Sequence, residues 1–129
     1  MVIDASAIGA ILFNEPEAAA FEQKIADDPI RLLSAATLVE ATIIIESRLG
    51  GAGSREFELW LVRAGVEVVA VDAEQTDIAC RGWRRFGKGR HPASLNYGDC
   101  FTYALAVARD EPLLFKGDDF AKTDVKRCG

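Results

Sequence analysis

The stretch MVIDASAIGAILF, residues 1–13, decides the fold class of this chain. Val2 to Asp4 is a short apolar run that predicts a strand, and Ala5 to Phe13 predicts a helix that follows it directly. The same alternation of short apolar runs with longer helical stretches continues as far as Phe115. Such alternation is typical of an α/β domain with a parallel sheet. We therefore predict a three-layer α/β/α sandwich around a mainly parallel central sheet.

The rest of the chain supplies three further strands and the helices between them. Strands are predicted at Arg31 to Ser34, Glu67 to Val71 and Pro112 to Lys116. Helices are predicted over Pro16 to Ala26, Thr37 to Leu49, Ala52 to Ala64 and Asn96 to Arg109. A further helix is predicted to begin at Asp72, and the range Arg81 to Pro92 is predicted to contain the end of this helix followed by an exposed loop. The tail after Phe120 is a candidate edge strand. Because the 129 residues contain neither a linker nor an internal repeat, we expect one domain, residues 1–129.

The composition excludes several classes of protein. Half of the residues are hydrophobic and 27% are charged, as in compact folded proteins. The formal net charge of −5 argues against a nonspecific nucleic-acid coat protein. Three separated cysteines and one histidine supply neither a disulfide framework nor a zinc site, so we expect any metal to be held by oxygen. No apolar run approaches the roughly 18 residues of a membrane span, and no signal peptide is evident, so the expected location is the cytoplasm.

Four acidic positions follow predicted strands or begin the next helix. They are Asp4, Glu40, Asp99 and one of the pair Asp118 and Asp119. Since parallel strands end at the same edge of a sheet, we expect these carboxylates to meet there, close enough to share a cation. Crowded carboxylates repel one another, and a hard divalent cation such as Mg²⁺ or Mn²⁺ relieves that repulsion.

Each acidic residue also has an ordinary structural interpretation. Asp4 is a suitable N-cap, Glu40 would complete a capping box with Thr37, and Asp99 would occupy the first turn of a helix capped by Asn96. The two aspartates near the C-terminus lie in a turn of the kind that commonly follows a strand. These alternatives do not exclude a metal site, because one carboxylate can serve as a cap and as a ligand.

Gly98 has no such structural interpretation. It falls in the first turn of a predicted helix, where glycine costs about 1 kcal/mol relative to alanine. A close approach by backbone or by a ligand would account for it.

The order and spacing of these motifs resemble those of the PIN-domain ribonucleases and, within them, of the VapC toxins of bacterial toxin-antitoxin pairs. The resemblance covers essentially the whole chain. It rests on Val2 to Ala7, on Glu40, on Leu95 to Cys100 and on Leu113 to Phe120. Each motif alone is weak, whereas the set in this order is specific.

The resemblance implies a site and an activity. Asp4, Glu40 and Asp99 take the places of three acidic metal-site residues, and Ser6 takes the place of a serine or threonine beside them. The implied activity is Mg²⁺-dependent hydrolysis of RNA phosphodiester bonds, with Mn²⁺ as a substitute cation. The implied partners are the RNA substrate, a VapB-like antitoxin and a second copy of the chain in a homodimer.

The fourth acidic position departs from the family's commoner pattern. Gly117 stands where the first of two aspartates would be. Asp119, just before Phe120, matches the position best, and Asp118 is the substitute.

One stretch of the chain is basic, because no acidic residue lies between Asp77 and Asp99. Its cations are Arg81, Arg84, Arg85, Lys88 and Arg90. With Trp83 among them, this stretch suits phosphate contact and base stacking, and we predict an RNA-binding surface beside the acidic pocket. A solvated helix face is the alternative.

Two other functions compete with the ribonuclease. A phosphatase of the haloacid dehalogenase type also begins with a strand and an aspartate, but it needs a second aspartate where this chain has Ser6. A noncatalytic partner-binding module on the same fold would not need the acidic set.

Overall fold

The computed structural model describes residues 1–128 and contains a four-stranded sheet in which every strand pairing is parallel. The strands are β1 Val2–Ile3, β2 Leu32–Ser34, β3 Glu67–Val69 and β4 Leu113–Leu114, and their order across the sheet is β3-β2-β1-β4. The helices are α1 Ala5–Leu12, α2 Ala18–Asp27, α3 Ala35–Arg63, α4 Ala73–Phe86 and α5 Tyr97–Arg109, followed by a short 3₁₀ turn at Phe120–Lys122. Gly129, the last residue of the predicted domain, lies outside the described residues.

The helices cover both faces of the sheet, which confirms the predicted three-layer architecture. Successive residues of a strand point to opposite faces, so each strand contributes to two cores. The core on one side of the sheet, formed with α4 and α5, contains Val2, Leu32 and Leu113. The core on the other side, formed with α1, α2 and α3, contains the residue that follows each of them, namely Ile3, Leu33 and Leu114. Strands that are buried on both faces read as continuous apolar runs, which is the pattern that the sequence presents.

Helix α3 differs from the prediction at its start but not in its middle. Two helices were expected, separated at Gly50 and Gly51, and this is confirmed, because the backbone leaves the helical conformation at Gly50, where φ is 69° and ψ is −168°, so that α3 consists of two helices that meet at a kink. The N-cap is Ser34, whose hydroxyl accepts from the amide of Ala36 at 3.3 Å. The predicted capping box of Thr37 with Glu40 is therefore wrong, because Thr37 already lies inside the helix.

The remaining elements lie close to their predicted positions, with shorter strands. The tail after Phe120 meets the sheet through a single parallel bridge between Leu113 and Arg127, so the candidate edge strand is reduced to one bridge. Over residues 1–128, no helix combines the length and the apolar character that crossing a bilayer requires.

The carboxyl edge of the sheet brings distant parts of the chain together. Asp4 follows β1 directly, and its amide donates to the carbonyl of Leu114 at 3.0 Å. The amide of Lys116, just beyond β4, donates to Ser6 Oγ at 3.0 Å. Helices α3 and α5 begin at this edge or pack beside it, which places the acidic positions of both helices near the end of β1.

Candidate active site

A cavity of about 400 Å³ opens at the carboxyl edge of the sheet. The end of β1 with helix α1, the part of α3 from Glu40 to Arg48, the first turn of α5 and the segment after β4 all contribute to its wall. Its charged and hydroxyl-bearing lining consists of Asp4, Ser6, Glu15, Glu40, Arg48, Asp99 and Lys116. The three acidic residues that the sequence assigns to a metal site thus line one cavity.

Asp4 is the most buried of these carboxylates, with 4% of its surface exposed. Its Oδ2 accepts from the amide of Ser6 at 3.0 Å, so Asp4 is the N-cap of α1. Its Oδ1 accepts from Thr102 Oγ1 at 2.8 Å, and Thr102 also shares a hydrogen bond of 3.1 Å with Thr37 Oγ1. These bonds fix the orientation of the Asp4 carboxylate toward the cavity.

Thr102 is a positioning residue that the sequence interpretation missed. It lies three residues after Asp99 on α5, which places both on neighbouring parts of one helix surface. That spacing was the available signal, but the partner of Thr102 is 98 residues away in sequence.

Asp99 confirms the cap interpretation and also lies in the acidic cluster. Its amide donates to Asn96 Oδ1 at 2.9 Å, and its Oδ2 accepts from the Asn96 amide at 3.0 Å, which is a complete capping box. Burial, together with the charges of Asp4, Glu40 and Asp119, raises the pKa of Asp99 to about 6, against the lowering effect of the bond from Asn96. The cap interpretation of Asp99 is therefore confirmed, and it leaves the carboxylate within the acidic cluster.

Glu40 lies in the second turn of α3 and is half-buried. Burial raises the pKa of its carboxyl group, and the charge of Asp4 adds to this effect. A Cβ atom at Gly98 would overlap Glu40 Oε2 and lie 2.7 Å from its Cδ. Gly98 is thus explained by the close approach of the Glu40 side chain, whereas the sequence led us to expect an approach by backbone or by a ligand.

The two aspartates near the C-terminus contribute less to the acidic cavity than Asp4, Glu40 and Asp99 do. Asp118 and Asp119 are both exposed and lie outside the described lining of the cavity. The charge of Asp119 nevertheless acts on Asp99, and Asp118 is not among the charges that do so. Of the two, Asp119 is the better candidate for the fourth acidic position.

Two cations at the cavity were not singled out from the sequence. Lys116 Nζ lies 2.9 Å from Glu15 Oε2 and 3.1 Å from Glu17 Oε2, and its hydrogen bonds to Glu15 and Glu17 raise the pKa of its ammonium group. The Arg48 guanidinium stacks 3.8 Å above the ring of Phe13. A signal existed for both: Lys116 follows a strand directly, and Arg48 is eight residues after Glu40 on the same helix face.

The basic stretch lies at the end of α4 and in the loop after it, and its role as an RNA-binding surface beside the acidic cavity stays a prediction. Among the described residues that line the acidic cavity, none belongs to this stretch. Arg81 pairs with Asp77 at 2.8 Å, and Arg85 pairs with Asp124 at 3.3 Å. The second pair was invisible in the sequence because Asp124 comes from the C-terminal tail. Arg84 lines a separate groove, and Lys88 and Arg90 are exposed.

The carboxylates of the cavity have the chemistry that a hard divalent cation requires, but they stand too far apart to share one ion. Asp4, Glu40 and Asp99 offer only carboxylate oxygens, which are the ligands that Mg²⁺ and Mn²⁺ prefer. Within residues 1–128, however, no three Asp, Glu, His or Cys side chains stand close enough to hold one ion between them. The expectation that the carboxylates lie close enough to share a cation is therefore not met, and a bound cation would have to draw the side chains together. Each carboxylate oxygen has two acceptor sites, so the existing hydrogen bonds can persist.

Comparisons with known proteins agree with this architecture. The family model for the PIN domain matches residues 1–126. The chain is 58% identical over 125 residues to a protein named Ribonuclease VapC from Mycolicibacterium smegmatis, and the alignment covers 97% of each chain. It is 54% identical over 125 residues to Ribonuclease VapC30 from Mycobacterium tuberculosis, covering 97% of this chain and 95% of the relative.

Two solved structures share the fold at low sequence identity. The Mycobacterium tuberculosis toxin VapC20, described as cleaving the sarcin-ricin loop, superposes with a TM-score of 0.78 at 15% identity and covers 96% of this chain and 95% of its own. A chain of the Rickettsia felis VapBC2 complex bound to a promoter DNA fragment gives a TM-score of 0.73 at 13% identity, with 94% and 90% covered. These two likenesses concern the fold alone.

Proposed function

The chain belongs to the PIN domain family and, within it, to the VapC ribonucleases, and from this membership we propose that it is a Mg²⁺-dependent endoribonuclease that acts as the toxin of a toxin-antitoxin pair. The observation that carries the proposal is the convergence of Asp4, Glu40 and Asp99 on one cavity at the carboxyl edge of the sheet. Their mutual repulsion, which contributes to the raised pKa values of Glu40 and Asp99, favours a cation there.

Asp4, Glu40 and Asp99 would hold Mg²⁺ or Mn²⁺, and Asp119 would contribute negative charge from the rim. When bound, the cation would neutralise charge that develops on the phosphate and favour ionisation of the attacking water. The chain's own residues prepare the site: Thr102 and the Ser6 amide orient Asp4, and Gly98 leaves room for Glu40.

Arg48 and Lys116 give the cavity positive charge as well as negative charge. A phosphodiester carries one negative charge and would be repelled by an exclusively acidic site. The two cations on the wall therefore favour the approach of the RNA backbone, and Lys116 can exchange its bonds to Glu15 and Glu17 for bonds to phosphate oxygen.

Activity measurements on metal-stripped protein test this proposal. The substrates are a structured RNA, a single-stranded DNA and a phosphomonoester, each with and without Mg²⁺ or Mn²⁺. We expect cleavage of the RNA only, and only with added cation. Release of phosphate from the monoester would favour the haloacid dehalogenase alternative, and inactivity on all three substrates would favour the noncatalytic module.

The proposed partners are a VapB-like antitoxin and a second copy of the chain, and the proposed location is the bacterial cytoplasm. Helix α3 supports two protein contacts, because large apolar side chains are exposed on both sides of its bend. Val39 and Ile43 lie before Gly50, and Leu59 and Val62 lie after it. Light scattering of the isolated chain, and then of the chain with its antitoxin, measures both associations.

A further inference from the structure

A second concave surface, the α4/α5 groove, lies beside the acidic cavity. It has a volume of about 560 Å³ and is lined by Ala79, Trp83 and Arg84 of α4 and by Tyr97, Cys100 and Phe101 of α5. At 100° per residue, Tyr97 and Phe101 point away from Asp99 on the first turn of α5. The groove and the cavity therefore flank the same helical turn.

The walls of the groove are fixed by helix packing. A Cβ atom at Gly82 would lie 2.6 Å from ring carbons of Tyr103, so the absence of a side chain lets α4 lie directly against α5. The phenol of Tyr103 donates to Asp124 Oδ1 at 2.9 Å, which anchors this contact to the C-terminal tail. The groove is therefore a preformed surface between two packed helices.

The aromatic residues of the groove are exposed to an extent that the fold does not require. Tyr97 is 82% exposed and Trp83 is 41% exposed. Tyr97 is held edge-on against Phe101, with ring centroids 4.9 Å apart, and the Arg90 guanidinium lies 4.5 Å from the centre of the Trp83 ring. Arg84 adds a second positive charge to the wall. Exposed aromatic rings next to guanidinium groups are the surfaces on which unpaired nucleobases stack.

We propose that the α4/α5 groove binds one unpaired nucleobase of the RNA, stacked on Trp83 and Tyr97, while the backbone of a neighbouring nucleotide enters the acidic cavity. This inference rests on the proposed ribonuclease function and adds to it a surface that binds a base outside the acidic cavity. The first turn of α5 separates the two sites by about the 10–12 Å width of a helix, so the stacked base belongs to a nucleotide beside the one that is cleaved. A base within a duplex is already stacked and cannot enter the groove.

Tryptophan fluorescence measures this binding independently of cleavage. The chain has two tryptophans, Trp60 and Trp83, and Trp60 lies outside the groove lining. In the Trp60→Phe variant, Trp83 is the only reporter. We expect a ten-nucleotide single-stranded RNA, added in EDTA to prevent cleavage, to quench its emission, and a blunt RNA duplex of the same composition to leave it unchanged. The matched control is Trp83→Phe, in which the remaining Trp60 should not respond.

Cleavage kinetics supply the second measurement. Loss of one stacking side chain should raise KM for single-stranded RNA by roughly 5- to 150-fold, with kcat little changed. Tyr97→Ala removes an almost fully exposed ring, so the variant should fold, and Trp83→Phe should retain most of the affinity. Val107→Ala, an exposed apolar position on α5 outside the groove lining, is the matched control and should behave like the parent.

The outcomes separate this inference from the proposed function. Unquenched Trp83 and a parent-like KM in Tyr97→Ala would overturn the groove assignment even if the parent cleaves RNA. If RNA quenches Trp83 but the parent protein cleaves no RNA, the result would support the groove as an RNA-binding site and count against the ribonuclease activity. A third outcome would also overturn the assignment. If Trp83 emission changes with protein concentration in the absence of RNA, and the mass of the protein in solution changes with it, a second copy of the chain covers the groove.

Discussion

The acidic cavity and the α4/α5 groove share the first turn of α5 but differ in what holds them together. In the cavity, hydrogen bonds from Ser6 and Thr102 fix the buried carboxylate of Asp4, and burial together with neighbouring negative charge raises the pKa values of Glu40 and Asp99. In the groove, exposed aromatic rings lie beside the guanidinium groups of Arg84 and Arg90, and none of its described lining residues is acidic. The carboxylates of the cavity therefore favour a bound cation, whereas the aromatic rings of the groove favour a flat aromatic partner. Substitutions should affect them in different ways.

The largest effect is expected for Asp99→Asn, which keeps the shape of the cap and removes a charge from the cavity. RNA cleavage should fall by roughly 100-fold or more, because an amide oxygen is a poorer ligand for Mg²⁺. The melting temperature without metal should stay the same or rise, since one member of a repelling cluster is neutralised. Cleavage rate and metal-free melting temperature are measured on one preparation.

Asp118→Asn is the matched control for this substitution. Asp118 is exposed and outside the cavity lining, so its variant should cleave like the parent. An Asp99→Asn protein that cleaves normally but melts at a lower temperature would show that Asp99 serves only as a helix cap.

A smaller loss is expected for Thr102→Val, which keeps the side-chain shape and removes the donor to Asp4 Oδ1. The buried oxygen loses its partner, so unfolding should become easier by about 1–3 kcal/mol. Cleavage should fall by roughly 10- to 100-fold, as is usual when a group that orients a metal ligand is removed. Urea unfolding and single-turnover cleavage measure the two effects.

Thr42→Val provides the comparison for Thr102→Val. Thr42 Oγ1 donates within its own helix, to the carbonyl of Leu38 at 2.8 Å. Equal losses of cleavage in both threonine variants would contradict a specific role for Thr102 in orienting Asp4.

The pH dependence of stability should distinguish the cavity from the groove. Burial and neighbouring charges raise the pKa of Asp99 to about 6 in the folded chain from an ordinary value of 3.8. The Asp99 carboxyl group binds its proton more tightly in the folded chain than in the unfolded chain. Its contribution to the free energy of unfolding is therefore full below pH 3.8 and is lost as the pH rises through 6. The metal-free melting temperature of the parent, compared with that of Asp99→Asn, should therefore decline over this interval.

Tyr97→Phe, in the groove, should leave that pH dependence unchanged. Addition of Mg²⁺ at about pH 7 should raise the melting temperature of the parent and have little effect on Asp99→Asn. A parent whose melting temperature rises steadily from about pH 4 to about pH 7 relative to Asp99→Asn would contradict the assigned repulsion.

The smallest effects are expected on the basic surface of α4. Arg84→Ala should weaken binding of single-stranded RNA and reduce the slope of log K against log salt by about 0.7 for each phosphate that is no longer neutralised. Arg81→Ala should change neither quantity much, because Arg81 already pairs with Asp77. An unchanged slope in Arg84→Ala would assign this stretch to an ordinary solvated helix face.

The sequence predicted the layers and the acidic set because both depend on local pattern. A strand buried on both faces must be apolar, and a residue that follows a parallel strand must lie at the carboxyl edge, so Val2 to Asp4 was informative by itself. The bond from Thr102 to Asp4 and the pairing of Arg85 with Asp124 join parts of the chain that only the fold brings together. Such long-range pairs leave no local pattern in the sequence.

Helix α3 shows a different limit of sequence interpretation. Glycines at 50 and 51 predicted the break correctly, since the backbone leaves the helical conformation at Gly50, but the start of the helix was misplaced. Ser34 became the cap in place of Thr37 because the helix begins one turn earlier than the pattern suggested. Boundaries of this kind depend on competition between two suitable caps, which composition alone does not decide.

Gly98 makes the chain vulnerable at a position that carries no chemistry of its own. A methyl group there would meet the carboxylate of Glu40, with Cδ only 2.7 Å away, and would displace it from the cavity. Every glycine codon becomes an alanine codon by a single base change. A cell burdened by an active toxin could thus escape through one point mutation that leaves all the acidic residues intact, so an inactive allele would pass unnoticed in any survey that inspects only the carboxylates.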